Sequence, residues 1–363
     1  MKLAWKELRH NKTKFILIES ILILMIFMVI FLSGLAGGLA RAVSASIENA
    51  DADYFIISDS SENLITISSL STDKLEEVAA MTENKVTSLE IQRTTLIPSG
   101  TDTKLDVTYF AVDPNSFLMP EITESVKETE TTTTYNIVLN DSFKEDNVKI
   151  GDIVEDSSSG LEMTVIGFTK DQMYGHSPVG FISTDAYTTM KSEINPSYEL
   201  KYHTIAVQGS DVKNINIDGL DIVDKATIVN NIPGYSAEQV TINMILWVLV
   251  VISAAILGVF FYVITIQKQK QFGVLKAIGM NMMELTGIII SQVFILAIIG
   301  VVIGNLLVFG MSAMLPSSMP FYLNETFALL VSCVFVIISL LCSLISTRRV
   351  AKVDPIIIIG GNE

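Results

Sequence analysis

The sequence predicts an α-helical membrane protein with four transmembrane helices and one large α+β extracellular domain between helices 1 and 2. Half of its 363 residues are hydrophobic, and four segments are apolar over at least the roughly 20 residues that a membrane-spanning helix needs. Residues 41–240 contain 33 acidic and 13 basic residues, a net charge of −20, whereas the remainder carries +5. These observations exclude a single soluble domain. They also exclude a nucleic-acid-binding protein, because no soluble stretch gathers basic charge.

The first apolar segment predicts a transmembrane helix over residues 15–40, preceded by a cytosolic N-terminal segment, residues 1–14. A signal peptide has an apolar region of only about 7–15 residues, so this longer run is interpreted as an uncleaved anchor. The extracellular domain, residues 41–240, follows it. The remaining segments are three further transmembrane helices, 241–266, 285–309 and 326–346, with a cytosolic coupling loop, 267–284, an extracellular loop, 310–325, and a cytosolic tail, 347–363.

The orientation follows from lysine and arginine, which are enriched in the cytosolic loops of membrane proteins. The N-terminal segment holds five of these residues, the loop between the second and third spans holds three, and the tail holds three. The loop between the third and fourth spans has none. We therefore expect a multi-pass protein of the cell membrane with both termini cytosolic and the large domain extracellular.

The extracellular domain alternates short strand-like runs with polar turns. A capping pattern at Ser71 or Thr72 predicts a helix over 71–81, and a second short helix is expected over 184–193. Two strand-rich halves, 51–105 and 106–225, are expected as subdomains. The domain has no cysteine, so we expect a hydrophobic core to stabilise it, for which its length is sufficient.

Sequence motifs for catalysis are missing. The chain has no G-x-x-x-x-G-K-[ST] loop for nucleotide phosphates, no G-x-S-x-G turn and no H-E-x-x-H pair, and it contains only three histidines. We therefore expect a protein that is not an enzyme and has no intrinsic cofactor. The only metal that we expect it to bind is one contained in a transported substrate.

The cytosolic loop after the second span has an amphipathic pattern. Phe272, Leu275, Ile278 and Gly279 recur at helical spacing, and Lys276 falls on another face. One interpretation is a membrane-surface helix that only joins two spans. The other is a helix that docks its apolar side into a groove on a partner protein.

Two segments carry a resemblance to a known family. Residues 265–280, TIQKQKQFGVLKAIGM, are similar to the coupling segment of permeases from the macrolide-exporter and lipoprotein-releasing (type VII, FtsX-like) family of ABC transporters. Residues 353–356, VDPI, resemble that family's C-terminal signature, although Ile357 and Ile358 stand where the family often has Glu and Ala. One span before a large extracytoplasmic domain and three after it also matches the family architecture.

Within the family, the chain most resembles the haem-exporting permeases of Gram-positive bacteria. This likeness extends over nearly the whole chain and rests on five short segments, residues 1–8, 32–36, 173–177, 235–239 and 319–323.

The resemblance implies a permease homodimer that binds two copies of a separate ATPase subunit, which alone binds and hydrolyses ATP. Closure of the ATPases would move the coupling residues Phe272, Leu275, Lys276, Ile278 and Gly279. The long helices would pass that motion to the outer domains, a mechanism called mechanotransmission. The implied activity is extrusion of haem from the lipid bilayer, which gives haem tolerance; haem is then the substrate.

Haem iron accepts Tyr, His or Met side chains, so candidates are sought near the outer membrane surface. They are Tyr174, Tyr235, His176, Met25 and Met28. Other interpretations stay open for each. Tyrosines commonly lie at headgroup level, His176 could cap a turn, and methionines often serve as flexible packing.

Three other functions remain open at this point. The chain could be a non-transporting mechanotransmission permease that regulates a cell-wall hydrolase or a sensor kinase. It could export another amphipathic toxin or peptide. It could also be a receptor-like membrane protein whose acidic domain binds an extracellular partner.

Overall fold

The computed structural model describes residues 12–125, 134–209, 212, 217–316 and 319–351. Most of the N-terminal segment and the tail, including the tail signature, lie outside the described residues. The chain divides into two compact units. Residues 39–240 form the extracellular unit, and the described residues up to 38 and from 241 onward form the membrane unit.

The described residues contain eight α-helices and thirteen strands. The helices are α1 (Lys12–Asn49), α2 (Asp73–Met81), α3 (Thr184–Ile194), α4 (Lys225–Asn231), α5 (Tyr235–Gln267), α6 (Gln269–Ala277), α7 (Met282–Ser312) and α8 (Glu325–Ala351). The strands are β1 (Tyr54–Ser58), β2 (Leu70–Ser71), β3 (Lys85–Pro98), β4 (Leu105–Val112), β5 (Glu124–Ser125), β6 (Tyr135–Asn140), β7 (Ile153–Asp156), β8 (Glu162–Thr169), β9 (Met173–Tyr174), β10 (Ser177–Ser183), β11 (Lys201–Tyr202), β12 (Thr204–Gln208) and β13 (Leu220–Asp224).

Four helices, α1, α5, α7 and α8, are long and apolar enough to cross a membrane. In the sequence, α1 precedes the large α/β domain and α5 follows it. The four helices and this order confirm the predicted fold class. The 38 residues of α1 correspond to roughly 57 Å of helix, well beyond the roughly 30 Å of a hydrocarbon core. The helix therefore continues past its predicted span and contributes residues 39–49 to the extracellular unit.

Within the membrane unit, α1 carries a glycine notch, defined here as Gly34, Gly37 and Gly38. The loop between α7 and α8 lies in this notch, and the N–H of Tyr322 donates to the carbonyl oxygen of Gly34 at 2.9 Å. A Cβ atom on Gly37 would lie 2.7 Å from the carbonyl oxygen of Tyr322, and one on Gly38 would overlap the backbone of Pro320. The notch thus exists because glycine lets the loop backbone reach the helix backbone.

The extracellular unit contains an eleven-stranded sheet. Strands β3, β4, β10, β6, β8 and β7 pair in a closed ring, in which β4–β10 and β6–β8 are parallel and the other pairs antiparallel. Alternate residues of these strands form one hydrophobic core, including Val107, Tyr109, Leu139 and Val165. The first half of β3 instead pairs with β12, which is followed in the sheet by β1 and β13.

The predicted division into halves 51–105 and 106–225 is wrong. Strands β12 and β13 come from the second half of the domain but pair with β1 and β3 from the first. Strand pairing over about 150 residues leaves no local signal, because the hydrophobic alternation of a strand does not specify its neighbour. The helix expected over 71–81 begins at Asp73, and the second covers Thr184–Ile194, with the Ser183 side chain accepting from the N–H of Ala186.

Glu90 lies where β3 passes from β12 to β4 as its partner. Its side chain is completely buried, and neither carboxylate oxygen has a hydrogen-bond partner of good geometry within the described ranges. Burial raises the pKa of Glu90 from 4.5 to about 8, offset in part by its own backbone N–H. A buried carboxyl without a partner is stable in its neutral form, so Glu90 is protonated below pH 8.

We predict that Glu90→Gln removes one component of the pH dependence of stability. The wild type loses stability as pH rises from 4.5 to about 8, because the folded state holds a proton that the unfolded state releases. The loss amounts to a few kcal/mol and levels off above the higher value. Thermal unfolding of the full chain in detergent between pH 5 and 9 should show the variant progressively more stable than the wild type. Parallel pH profiles for both proteins would contradict a protonated Glu90, and exposed Glu83→Gln is the control.

A second prediction concerns the glycine notch. Gly38→Ala should lower the free energy of unfolding of the membrane unit by about 1–3 kcal/mol, because the added methyl group overlaps the backbone of Pro320. Gly310→Ala is the matched control, since this helical glycine has no atoms within 4 Å of the new methyl group. Thermal unfolding in detergent measures both. Equal melting temperatures for the two variants would show that the loop does not depend on the notch.

Candidate functional site

Several candidate residues meet at one place in the extracellular unit, which we call the α1 end site. It comprises residues 41–49 of α1, the turn between β9 and β10, and the first turn of α5. All three parts belong to the unit of residues 39–240. Val43 and Ile47 of α1 are buried in the same hydrophobic cluster as Tyr174, and Tyr235 packs against that cluster. The helix end is thus part of the soluble domain's core.

The turn between β9 and β10 is a two-residue hairpin formed by Gly175 and His176. Tyr174 pairs with Ser177, and both turn residues have positive φ, 56° and 61°, as a type I′ turn requires. The N–H groups of Gly175 and His176 donate to main-chain carbonyl oxygens of α1, those of Val43 at 3.0 Å and Ala42 at 2.9 Å. The hairpin tip is therefore bonded to the backbone of α1 as well as to its own strands.

Polar and charged side chains also fix the C-terminal end of α1. The Arg41 guanidinium contacts Glu48 at 3.2 Å and also pairs with Asp171, which lies two residues before β9. The Asn49 amide donates to the backbone oxygen of Asp171 at 2.7 Å. The Lys225 ammonium donates to the carbonyl oxygen of Glu48 at 3.2 Å, which satisfies a carbonyl at the C-terminal end of α1.

Tyr174 is almost entirely buried, and its ring packs edge-on against Phe110 with centroids 5.5 Å apart. Its hydroxyl is also buried and has no hydrogen-bond partner among the residues that the structure describes. Burial raises the pKa of Tyr174 well above its usual value, so the neutral phenol is the stable form in the absence of a ligand. A phenol oxygen in this state lacks the partner that a buried polar atom normally has.

Tyr235 begins α5 directly after the turn at Pro233 and Gly234. Gly234 has a φ of 89°, which glycine adopts without strain, and this turn sets the direction in which the helix starts. The polar neighbours of the partly buried Tyr235 ring are Ser44 and Glu48 of α1. The structure thus brings both candidate tyrosines to α1, although only Tyr174 is fully enclosed.

His176 is engaged by its own neighbour rather than free. Its Nε2 atom lies 3.1 Å from Oε1 of Glu238, one turn into α5, with the two side chains 47% and 34% exposed. Glu238 is not among the site residues predicted from the sequence. The available signal is its position in YSAEQ, three residues after Tyr235 and so on the same side of a helix.

The two candidate methionines lie on α1 within the membrane unit. Met25 packs against the helix-bundle core, and Met28 is 51% exposed. They do not belong to the unit that contains Tyr174, His176 and Tyr235. Throughout the described ranges, no group of three or more His, Cys, Asp or Glu side chains is arranged to hold a metal ion.

The residues predicted to couple to the ATPase lie on and just after α6, which is separated from α5 by Lys268 alone. Ile278 is 77% exposed, and Leu275 and Lys276 are partly exposed, while the side chain of Phe272 lies outside what the structure describes. Gly279 has a φ of 103° and lies in the short connection between α6 and α7.

Two further features of this loop are the cap of α7 and the exposed face of α6. Asn281 and Glu284 form a capping box at the N-terminus of α7. Val274 is 51% exposed, and its spacing of four from Ile278 puts both on one helical face. Val274 is not among the coupling residues predicted from the sequence, although its helical spacing of four residues from Ile278 indicates it.

Comparisons with known proteins cover almost the entire chain. The family profile described as MacB-like periplasmic core domain matches residues 17–217, and that described as FtsX-like permease C-terminal matches residues 243–355. A protein of Staphylococcus epidermidis with the provisional name hemin transport system permease protein HrtB is 30% identical, covering all of both chains. Its namesake from Staphylococcus haemolyticus is 29% identical with the same coverage.

A solved structure, the extracellular domain of the noncanonic ABC-type transporter YknZ from Gram-positive bacteria, is 10% identical with a TM-score of 0.32. It covers 48% of this chain and 99% of that one, a likeness too weak to support an argument. The two family profiles and the full-length relatives confirm the resemblance seen in the sequence. The chain therefore belongs to the FtsX-like family of ABC transporter permeases, membrane proteins in which a MacB-like core domain precedes the C-terminal helices.

Proposed function

We propose that this permease is the membrane subunit of an ATP-driven exporter that extrudes haem and so confers haem tolerance. The observation that carries the proposal is the full-length similarity to staphylococcal relatives with provisional hemin transport names. The chain itself supplies a second argument, the enclosed phenol of Tyr174, since ferric haem iron accepts a tyrosine oxygen as ligand.

Tyr174 and Tyr235 fit the substrate better than the other candidates do. The Tyr174 oxygen has no partner within the described part of the chain, and Tyr235 packs against the same cluster close to the point where α5 begins its apolar run. His176 is already paired with Glu238, so it would have to exchange one partner for another. Met25 and Met28 fit a separate role as apolar contacts along α1.

The proposed orientation has both termini in the cytosol and the domain of residues 41–240 outside the cell. That domain carries −20, which repels the two carboxylates of a porphyrin in solution. Entry of haem through the membrane, followed by repulsion on release, is therefore the favoured route.

The energy for export would come from a separate ATPase subunit, two copies of which bind a permease homodimer. The chain has no phosphate-binding loop of its own. The exposed Val274 and Ile278 provide an apolar surface for the ATPase to bind, with Leu275 and Lys276 beside them. The long unbroken α1, bonded at its end to the β9–β10 hairpin, is suited to transmit movement, because the hairpin must follow it.

The proposal predicts that Tyr174→Phe combined with Tyr235→Phe weakens hemin binding by at least about tenfold, since loss of even an outer partner of a metal ligand costs that much. A strain whose only haem exporter carries this variant should be as sensitive to hemin as the deletion strain. Absorbance titration of the purified protein measures binding. The matched control is Tyr135→Phe combined with Tyr202→Phe, which alters tyrosines elsewhere in the domain and should bind normally.

The outcomes separate the alternatives. Full hemin binding and tolerance in the Tyr174 and Tyr235 variant would remove these side chains as ligands. Unchanged hemin tolerance after deletion of the gene would remove haem export. Loss of cell-wall remodelling in that deletion strain would favour a regulator of a hydrolase, and sensitivity to another amphipathic compound would favour a different substrate.

A further prediction concerns the ATPase. Ile278→Asp should reduce ATPase binding by at least about tenfold, because a charge would replace an apolar side chain at the proposed contact. Co-purification of the ATPase and its stimulated ATP hydrolysis measure the effect. Ile278→Leu, which keeps the apolar character, should behave as the wild type. Normal coupling in the Asp variant would place the ATPase contact elsewhere.

A further inference from the structure

A hydrogen-bond contact between His176 and Glu238 joins two parts of the extracellular unit that the chain separates by 62 residues. We propose that Glu238 is a positioning residue, which holds the β9–β10 turn against α1 and thereby controls access of a ligand to the Tyr174 hydroxyl. The control of substrate access rests on the proposed function, whereas the holding of the turn does not.

The backbone conformation of His176 indicates a role for its side chain. Its φ of 61° lies in the left-handed region, which glycine adopts freely and other residues adopt at a cost. The type I′ turn would form at least as well with glycine or asparagine at this position. A histidine there contributes something that the backbone does not need, and its side chain makes one described contact, to Glu238.

The turn between β9 and β10 is bonded to two helices at once. Its N–H groups donate to the carbonyl oxygens of Val43 and Ala42 on α1, while the imidazole contacts Glu238 on α5. The turn therefore stays in place only while these points of α1 and α5 keep their present separation. A change in that separation has to break one of the two sets of contacts.

Tyr174 and two nearby serines are buried beside the turn. Tyr174 immediately precedes the turn. Its hydroxyl is buried, as are the hydroxyls of Ser177 and of Ser46 on α1, and none of the three has a partner among the described residues. No ligand can reach the Tyr174 oxygen in this arrangement. The segment that carries it must move first, and the contacts of His176 oppose that movement.

The contact between His176 and Glu238 is also weak enough to open. Its side chains are 47% and 34% exposed, and the second carboxylate oxygen of Glu238 is buried with no partner in the described part of the chain. A partly exposed pair of this kind changes equilibria by about one- to fivefold, so the contact biases the position of the turn without locking it.

The experiment compares full-length variants in lipid nanodiscs by nitration of Tyr174 with tetranitromethane, quantified by mass spectrometry. Glu238→Ala should raise the nitration rate of Tyr174 about two- to fivefold, the range expected for such a pair. Hydrogen exchange at the amides of Gly175 and His176 should accelerate by a similar factor. Glu238→Gln keeps a hydrogen-bonding group of the same shape and should restore wild-type rates.

Two further variants make the result specific. His176→Asn tolerates the left-handed conformation but does not reach Glu238, so it should match Glu238→Ala. Glu77→Ala breaks the partly exposed Lys74–Glu77 ion pair, whose atoms are 2.7 Å apart, and should leave Tyr174 unchanged. Wild-type nitration and exchange in both Glu238→Ala and His176→Asn, with the fold intact, would overturn the proposal.

Hemin separates this inference from the proposed function. The association rate of hemin should rise in Glu238→Ala by the same factor as nitration. If nitration rises while Tyr174→Phe binds hemin normally, Glu238 still positions the turn and haem ligation by Tyr174 is wrong. If nitration is unchanged while Tyr174→Phe loses hemin, haem ligation stands and the positioning role is wrong.

Discussion

The structure depends on one constraint, that α1 is both a membrane helix and part of a soluble core. Its residues up to 38 pack with the helix bundle, and its last turns bury Val43 and Ile47 against the sheet. A break in the helix would leave backbone groups unpaired at the membrane surface, where they cost free energy. The helix is unbroken over 38 residues, so its membrane part and its last turns in the domain belong to one continuous segment. The contacts of the hairpin turn with α1 depend on this continuity.

The membrane spans could be predicted from the sequence because twenty apolar residues in a row have few other uses. The extension of α1 to Asn49 could not, since residues 41–49, RAVSASIEN, are mixed in polarity and their buried side chains face the sheet. Likewise, the type of most strands follows from local alternation, but the pairing of β1 with β12 and β13 depends on contacts far along the chain. The closed ring of strands is therefore a property of tertiary packing.

The residues of the candidate site could be predicted from the sequence, whereas their environments could not. The sequence indicates Tyr174, His176 and Tyr235 by their chemistry and by resemblance, and the structure gathers them around α1. Their different states were beyond the sequence: one phenol is enclosed, one tyrosine is partly exposed, and the histidine is paired with a carboxylate. Burial and pairing depend on which helix crosses which turn, and no local pattern specifies that crossing. Glu90 makes the same point in the sheet, where an ordinary strand position holds a neutral acid.

The glycine notch has a consequence for how α1 can move. A helix advances 100° per residue, so rotation about its axis by one residue would replace glycine by a larger side chain opposite the loop backbone. Axial rotation is thus sterically blocked while the loop is seated, and tilting of α1 together with the loop is the remaining low-energy displacement. Since that loop joins α7 to α8, a displacement of α1 with the loop seated carries the connection between those two helices with it.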